Sequence, residues 1–204
     1  MSLDAFVAGP KGEIDWIFGT TDDRSAAWTV DTISKAGLHI MGSKTFHDMA
    51  SWWPTSNEPF APPMNEIPKA VFTRGGFTGA DPAKVTQAVK DALKNRKEKG
   101  GQIAATPAGA DSWAHPRIFK GDLADSIRQL KSGSGKDIVA RGGAGFAQSL
   151  VATGLIDEYA LMVHPVALGK GLPLFTSLPQ QLKLRLVEIK SFPAGSAAHI
   201  YRPA

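Results

Sequence analysis

The sequence predicts an α/β protein, with a mostly parallel sheet flanked by helices and an antiparallel C-terminal end. Two apolar strands each run straight into a Gly-centred turn that reads as a helix start: Leu38-His39-Ile40-Met41-Gly42-Ser43-Lys44-Thr45-Phe46 and Ile138-Val139-Ala140-Arg141-Gly142-Gly143-Ala144-Gly145-Phe146. Strand and helix patterns alternate up to about residue 153, as in a parallel sheet with crossover helices. After residue 157 only long alternating strands remain, the pattern of antiparallel hairpins.

The elements follow in order. Leu3 to Ala8 is an apolar strand that contains one acid, Asp4, and Gly9-Pro10-Lys11-Gly12 ends it with turn residues. Glu13 to Phe18 reads as a loop carrying Trp16. Asp22 or Asp23 caps a helix running to about Lys35, with Gly37 as its stop. The strand Leu38 to Met41 leads to a short helix, Thr45 to Ser51, ended by Trp52-Trp53-Pro54. Residues 54–67 are rich in Pro, Asn and Ser and read as a loop; Lys69 to Arg74 is a strand ending at Gly75-Gly76. Asp81-Pro82 opens a helix whose apolar face carries Val85, Ala88, Val89, Ala92 and Leu93, stopped by Gly100-Gly101. Arg117 to Lys120 is a short strand and Asp122 to Lys131 a helix. The strand Asp137 to Arg141 precedes a helix from Ala144 to Thr153, with Gly154 as its cap. Strands at Asp157 to Val166, Leu182 to Lys190 and Ala197 to Arg202 complete the chain. The apolar phase flips after Leu186, which predicts a bulge there. One domain over 1–204 fits the length, with 78–112 reading as an insertion.

Composition excludes several classes. The chain is 43% hydrophobic, enough for a real core, and its net charge of +4 suits an anionic small molecule but does not argue for nucleic acid. It has no Cys, hence no disulfide framework or thiolate metal site. Its His residues show no ligand spacing, so no metal is expected. No apolar run is long enough for a membrane span, and no signal-peptide pattern opens the chain. The expectation is a cytoplasmic protein.

The chemistry is concentrated at the two Gly turns. A helix N-terminus offers unpaired N–H groups and partial positive charge, a seat for phosphate. Gly lets a bulky anion reach the backbone. Two such turns suggest a ligand with more than one phosphate, such as a dinucleotide. Neither turn is a standard fingerprint. Gly37 to Thr45 has Ser43 where a phosphate loop needs Lys, and Gly143-x-Gly145 lacks the third Gly of the dinucleotide fold, having Gln148 instead. Taken singly, each turn reads more simply as strand–helix punctuation. Trp16, Trp52 and Trp53 read equally well as pocket walls or as packing.

The ordered set of motifs resembles the reductase domain of riboflavin biosynthesis, within the dihydrofolate reductase-like superfamily. The matching pieces are Ser2-Leu3-Asp4-Ala5-Phe6-Val7-Ala8, Gly12-x-x-Asp15-Trp16, Met41-Gly42-Ser43-Lys44-Thr45-Phe46 with Trp53-Pro54, and Val71-Phe72-Thr73-Arg74. They continue through Gly142-Gly143-Ala144, Leu155-Ile156-Asp157-Glu158-Tyr159, Pro165 to Gly171 and Pro173-Leu174-Phe175. The resemblance implies a central sheet with an antiparallel C-terminal hairpin, NADPH along the C-terminal strand ends, and a homodimer. By position, Gly42, Ser43, Lys44 and Thr45 hold the phosphate region, and Thr73 and Arg74 sit near the adenosine 2′-phosphate. Gly142, Gly143, Ala144 and Gly145 admit the pyrophosphate and nicotinamide ribose, and Ala5 faces the nicotinamide.

Two departures stand out. Ser43 replaces an Arg common in the family, and Ala5 replaces a Gly. The implied activity is NADPH-dependent reduction of a small pyrimidine- or pterin-type heterocycle. Asp4 is the candidate for polar substrate contact or proton relay, and Trp16, Trp53 and Phe46 are candidate substrate walls. The folate reductases' helix acid has no match near Ala26, which argues against folate. The alternative is a non-catalytic nucleotide-binding or structural dimer that keeps the fold without turnover.

Overall fold

The structure is a computed structural model that describes residues 1–98, 111–176 and 178–204. In chain order it holds β1 (Phe6–Ala8), α1 (Asp23–Ser34), β2 (Ala36–Gly42), α2 (Ser43–Trp52), α3 (Ala61–Glu66), β3 (Lys69–Phe72), α4 (Gln87–Glu98) and α5 (Asp111–Ala114). There follow β4 (Arg117–Phe119), α6 (Leu123–Lys131), β5 (Asp137–Ala140), α7 (Ala144–Ala152), β6 (Tyr159–Val163), β7 (Leu172–Pro173), β8 (Leu184–Ser191) and β9 (Ala197–Pro203). The chain divides into two compact units. One is the continuous stretch Thr29–Gly143, and the other joins Met1–Trp28 to Ala144–Ala204.

The continuous unit contains a parallel sheet in the order β4-β3-β2-β5. Its core gathers Ile33, Met41, Phe46, Met64, Val71, Phe77 and Trp113, edged by Met49, Ala50, Trp53 and Phe60. Residues 46, 49, 50 and 53 form one helical stripe, so α2 packs by its apolar face. Gly37 is not a helix stop but lies inside β2, where a Cβ would come 3.0 Å from the Cβ of Lys136. The expected loop at 54–67 contains α3, started by Pro62-Pro63 in its first turn, where Pro loses no helical hydrogen bond.

The helix expected from Asp81 is broken. Asp81 does cap a turn, accepting from the Ala83 N–H at 2.9 Å, but that turn is only a 3-10 stretch, Pro82–Lys84. Val85 is then extended and buried, and α4 begins at Gln87. Thr86 donates its N–H to the Asp48 carboxylate at 2.7 Å, so the chain at 85–86 anchors to α2 instead of continuing the helix. The expected stop at Gly100-Gly101 lies outside the described residues.

The discontinuous unit contains the antiparallel sheet β6-β9-β8 and the antiparallel pair β1-β7. Val151, Tyr159 and Leu174 centre its core, with Val7, Ala147 and Phe175 packed around them. The bulge expected after Leu186 is there: the β8–β9 register shifts between Leu186 and Glu188. Asp22 holds the N–H groups of Arg24 and Ser25 with one oxygen and that of Ala194 with the other, at 2.7 to 3.0 Å. The first strand is shorter than expected: residues 2–5 form a turn, and only Phe6–Ala8 is extended.

Candidate functional site

Within the continuous unit, three loops leave the same edge of the parallel sheet. Gly42 pairs with Phe72 across β2 and β3, and Ile40 pairs with Ala140 across β2 and β5. The Arg141 N–H donates to the Ile40 carbonyl at 2.9 Å, carrying the pairing up to the second bend. The two Gly bends are therefore neighbours. A Cβ on Gly142 would lie 3.0 Å from the Thr45 Cγ2 and 3.2 Å from the Met49 Cε. Gly142 and Gly143 have φ of 69° and 81°, a conformation that side-chain-bearing residues avoid. The C-terminal edge of a parallel sheet is where such folds bind ligands.

At the first bend, Gly42 precedes α2 with extended backbone, φ −77° and ψ 158°, and no side chain caps the helix. The leading N–H groups of α2 therefore keep their capacity for an outside acceptor. A cavity of 240 Å³ opens here. Ser43, Lys44 and His47 of α2 line it, with Gly75, Gly76 and Phe77 after β3, and Lys84 of the 3-10 turn. His47 is buried, and its Nδ1 accepts the Asp81 N–H at 3.1 Å. Burial first, then the charge of Lys84, pushes its pKa below the ordinary imidazole value. A neutral ring with Nδ1 accepting carries its proton on Nε2. The cavity walls thus supply donors and positive charge and no carboxylate.

The residues expected from the sequence separate into groups. Gly42, Ser43, Lys44, Thr45, Gly142 and Gly143 come together as described. Thr73 ties the third loop: its hydroxyl donates to the Gly75 carbonyl at 3.1 Å and accepts the Gly75 N–H at 3.2 Å. Arg74 is exposed in the same loop. Phe46 is not a substrate wall in this structure. Its ring is fully buried between Phe77 and Trp113, at centroid distances of 5.3 and 5.4 Å. Trp53 packs at the edge of the same core, 6.2 Å from Phe60, and its carbonyl accepts from Asn65 Nδ2. His47, Gly75, Gly76, Phe77 and Lys84 were not expected. His47 stands four residues after Ser43 on the same helix face, which is a signal the sequence does carry.

In the discontinuous unit, Ala144 opens α7, and Gly145 faces open space where a Cβ would meet nothing. Asp4 sits in an exposed turn and accepts from the Ser2 hydroxyl at 2.6 Å, the Leu168 N–H at 3.1 Å and the Gly169 N–H at 2.7 Å. The Ser2 bond, then the Gly169 bond, holds its pKa down at about 2. This geometry fits an ionised loop clamp better than a proton donor. Ala5 has φ 66° and is the one non-Gly residue with positive φ among the described residues. The indole Nε1 of Trp16 donates to the Glu13 carbonyl, and its ring meets His164 edge-on at 5.7 Å.

Beneath the cavity edge lies a second group of cationic side chains that the sequence did not announce. His39 on β2 stands opposite Lys69 on β3, and both are buried. Lys69 Nζ donates to the Ile67 carbonyl and to Ser112 Oγ, and stacks 4.5 Å above the Trp113 ring. Burial pushes Lys69 down to about 7. Neither ring nitrogen of His39 closes a hydrogen bond. Burial, with the charges of Lys69 and Arg141, drives His39 down to about 3.

The RibD C-terminal domain family model matches residues 1–198. The uncharacterised protein YyaP of Bacillus subtilis (strain 168) is 26% identical over 202 residues, covering 98% of this chain and 90% of that protein. A provisionally assigned riboflavin biosynthesis protein of Shewanella sp. PV-4 superposes with a TM-score of 0.68 at 20% identity, covering 100% of this chain and 95% of its own. A pyrimidine reductase-like protein of Corynebacterium diphtheriae gives 0.59 at 14% identity, covering 100% and 89%. For Acinetobacter baumannii RibD the TM-score is 0.55 at 18% identity, and the match spans 100% of this chain but 55% of that one. At these identities the structural likenesses establish the fold.

Proposed function

The chain belongs to the RibD C-terminal domain family, and we propose that it is a cytoplasmic NADPH-dependent reductase of a small pyrimidine- or pterin-type heterocycle. The reaction is similar to reduction of 5-amino-6-(5-phosphoribosylamino)uracil in riboflavin biosynthesis. The observation that carries this reading is the adjacency of the two Gly bends, with Gly142 pressed against Thr45 and Met49 and a cationic cavity beside them. A side chain at 142 would press into Thr45 and Met49, and the positive φ at 142 and 143 favours Gly at both, so the bend keeps a bare backbone that suits a close ligand.

Bound there, NADPH supplies the hydride. The leading amides of α2, with Ser43 and Lys44, meet phosphate oxygens. Thr73 and Arg74 serve the adenosine 2′-phosphate. Gly142 and Gly143 keep the second bend open, and Ala144 and Gly145 continue it into α7. Asp4 acts as a positioning residue: as a carboxylate it fixes Ser2 and the Leu168-Gly169 loop, and thereby the turn that presents Ala5. Trp53 remains a proposed wall for the substrate ring. Exposed Leu186, Val187 and Ile189 on the edge strand β8 support a homodimer, because an apolar sheet edge favours a partner. No helix among the described residues is long and apolar enough to cross a membrane.

The test is a thermal-shift comparison of NADPH, NADH, FMN and ATP, followed by NADPH oxidation against pyrimidines and pterins. Stabilisation by NADPH with turnover supports the reading; no stabilisation by either pyridine nucleotide overturns it. Stabilisation without turnover favours the second reading, a nucleotide-binding dimer, for which the occupied Asp4 carboxylate is the supporting observation.

A further inference from the structure

Residues 77–86 form a strap fastened to α2 at three points. Phe77 is buried, with its ring 5.3 Å from both Phe46 and His47. The Asp81 N–H donates to His47 Nδ1, and the Thr86 N–H donates to the Asp48 carboxylate. Val85 is buried between the last two fixings. A strap so held places its one lysine, Lys84, on the wall of the cavity that Ser43 and Lys44 open. Its nearest acid is Asp81, which already caps the turn and reaches Lys84 Nζ only at 3.7 Å, half-exposed. An ion pair of that length in water contributes little, so the ammonium is available to a ligand.

We propose that Lys84 is a specificity-determining residue that recognises a dianionic phosphomonoester on the ribose of the bound nucleotide. This rests on the nucleotide reading above and deepens it by naming the group that selects between phosphorylated and unphosphorylated cofactors. The cavity is lined by Lys44, Lys84, His47 and Ser43 at the uncapped start of α2, and by no acid. That much donor capacity exceeds what a ribose hydroxyl uses and matches the charge and several acceptors of a phosphate. The volume of 240 Å³ admits a phosphate with part of its sugar. Lys84 arrives from a segment outside the strand–helix turns, so its own share of the selectivity is separable from that of Lys44, Thr73 and Arg74.

The experiment measures dissociation constants of wild type, Lys84→Gln and Lys84→Arg for four probes: NADPH, NADH, adenosine 2′,5′-bisphosphate and AMP. Lys84→Gln is expected to weaken the two 2′-phosphorylated probes at least about tenfold while NADH and AMP stay within about twofold. Lys84→Arg restores the preference, and the thermal midpoints of both variants match wild type. Equal weakening of all four probes, or an unchanged 2′-phosphate preference in Lys84→Gln, overturns the proposal while leaving the cofactor reading standing. A wild-type protein that binds none of the four overturns both.

Discussion

Two clusters of positive charge occupy the same parallel sheet, a few residues apart, and they differ in every respect except composition. At the strand ends, Lys44, Lys84 and His47 line an open cavity. Further back, His39 and Lys69 stand inside the sheet, where Lys69 is 1% exposed and His39 0%. In the cavity the lysines border open space that a ligand can enter. Inside the sheet, desolvation works against charge, and neither His39 nor Lys69 has an acid to offset it. The same residue types therefore line an open cavity at one level and are packed as desolvated polar groups at the other.

The comparison breaks first at Lys69. Its folded pKa of about 7 lies below the ordinary value of 10.5, so between those values the unfolded chain binds more protons. Stability must rise with pH across that window and carry the full penalty below it. Urea unfolding between pH 7 and 10 should show a rise on the order of 4 kcal/mol, at about 1.4 kcal/mol per pH unit. Lys69→Met should remove most of it, leaving the smaller rise up to about pH 8 that comes from the buried N-terminal amine, lowered from 8.0 to about 6. An equally steep rise in Lys69→Met would show that the lysine is not the buried base.

The next effect belongs to the bends. Gly143→Val at φ 81° should lower stability by about 1–3 kcal/mol and abolish detectable NADPH binding by fluorescence titration. Retained affinity would remove the second bend from the ligand site.

His39 gives a change of about 2 kcal/mol at pH 5 by the same linkage. Its folded value of about 3 is below 6.5, so the penalty grows as pH falls through 6.5 and is complete below 3. His39→Leu should therefore resist acid better than wild type in a denaturant series at pH 5. His164, held at about 4 by burial and by the N-terminal amine, adds a separate acid-sensitive contribution that this variant leaves intact.

The smallest effect concerns Ala5, whose φ of 66° is more natural for Gly. Ala5→Gly should stabilise by about 0.5–1 kcal/mol at most, since the relieved strain is partly offset by the extra freedom of the unfolded chain. A calorimetric midpoint unchanged or lowered would mean that surrounding contacts already absorb the strain.

Much of this was legible in the sequence where one physical constraint dominates. Gly42 and Gly142-Gly143 announced the bends because strand-to-helix reversals need open backbone. The phase flip after Leu186 announced the β8 bulge because side chains alternate strictly in strands. Phe46 was misread because its motif position outweighed its helical phase, which groups it with Met49, Ala50 and Trp53 on the core stripe. Lys84 was hidden by reading residues from Asp81 onward as one helix. The β-branched pair Val85-Thr86 was the hint that the helix starts later. Nothing local marks Lys69 as buried, since its burial comes from Trp113 and Ser112, more than forty positions away.

The division of the chain has a consequence for its synthesis. Thr29–Gly143 is one uninterrupted stretch and can close its own core as soon as it leaves the ribosome. The opening 28 residues cannot. Leu3 pairs with Val166, Asp4 with Leu168 and Gly169, and Ala5 with Leu174, so the leading segment must wait, unpaired, until the last third of the polypeptide emerges. A nascent chain arrested just after Gly143 has emerged would hold a finished middle and an orphaned beginning, the species that chaperones and proteases would meet first.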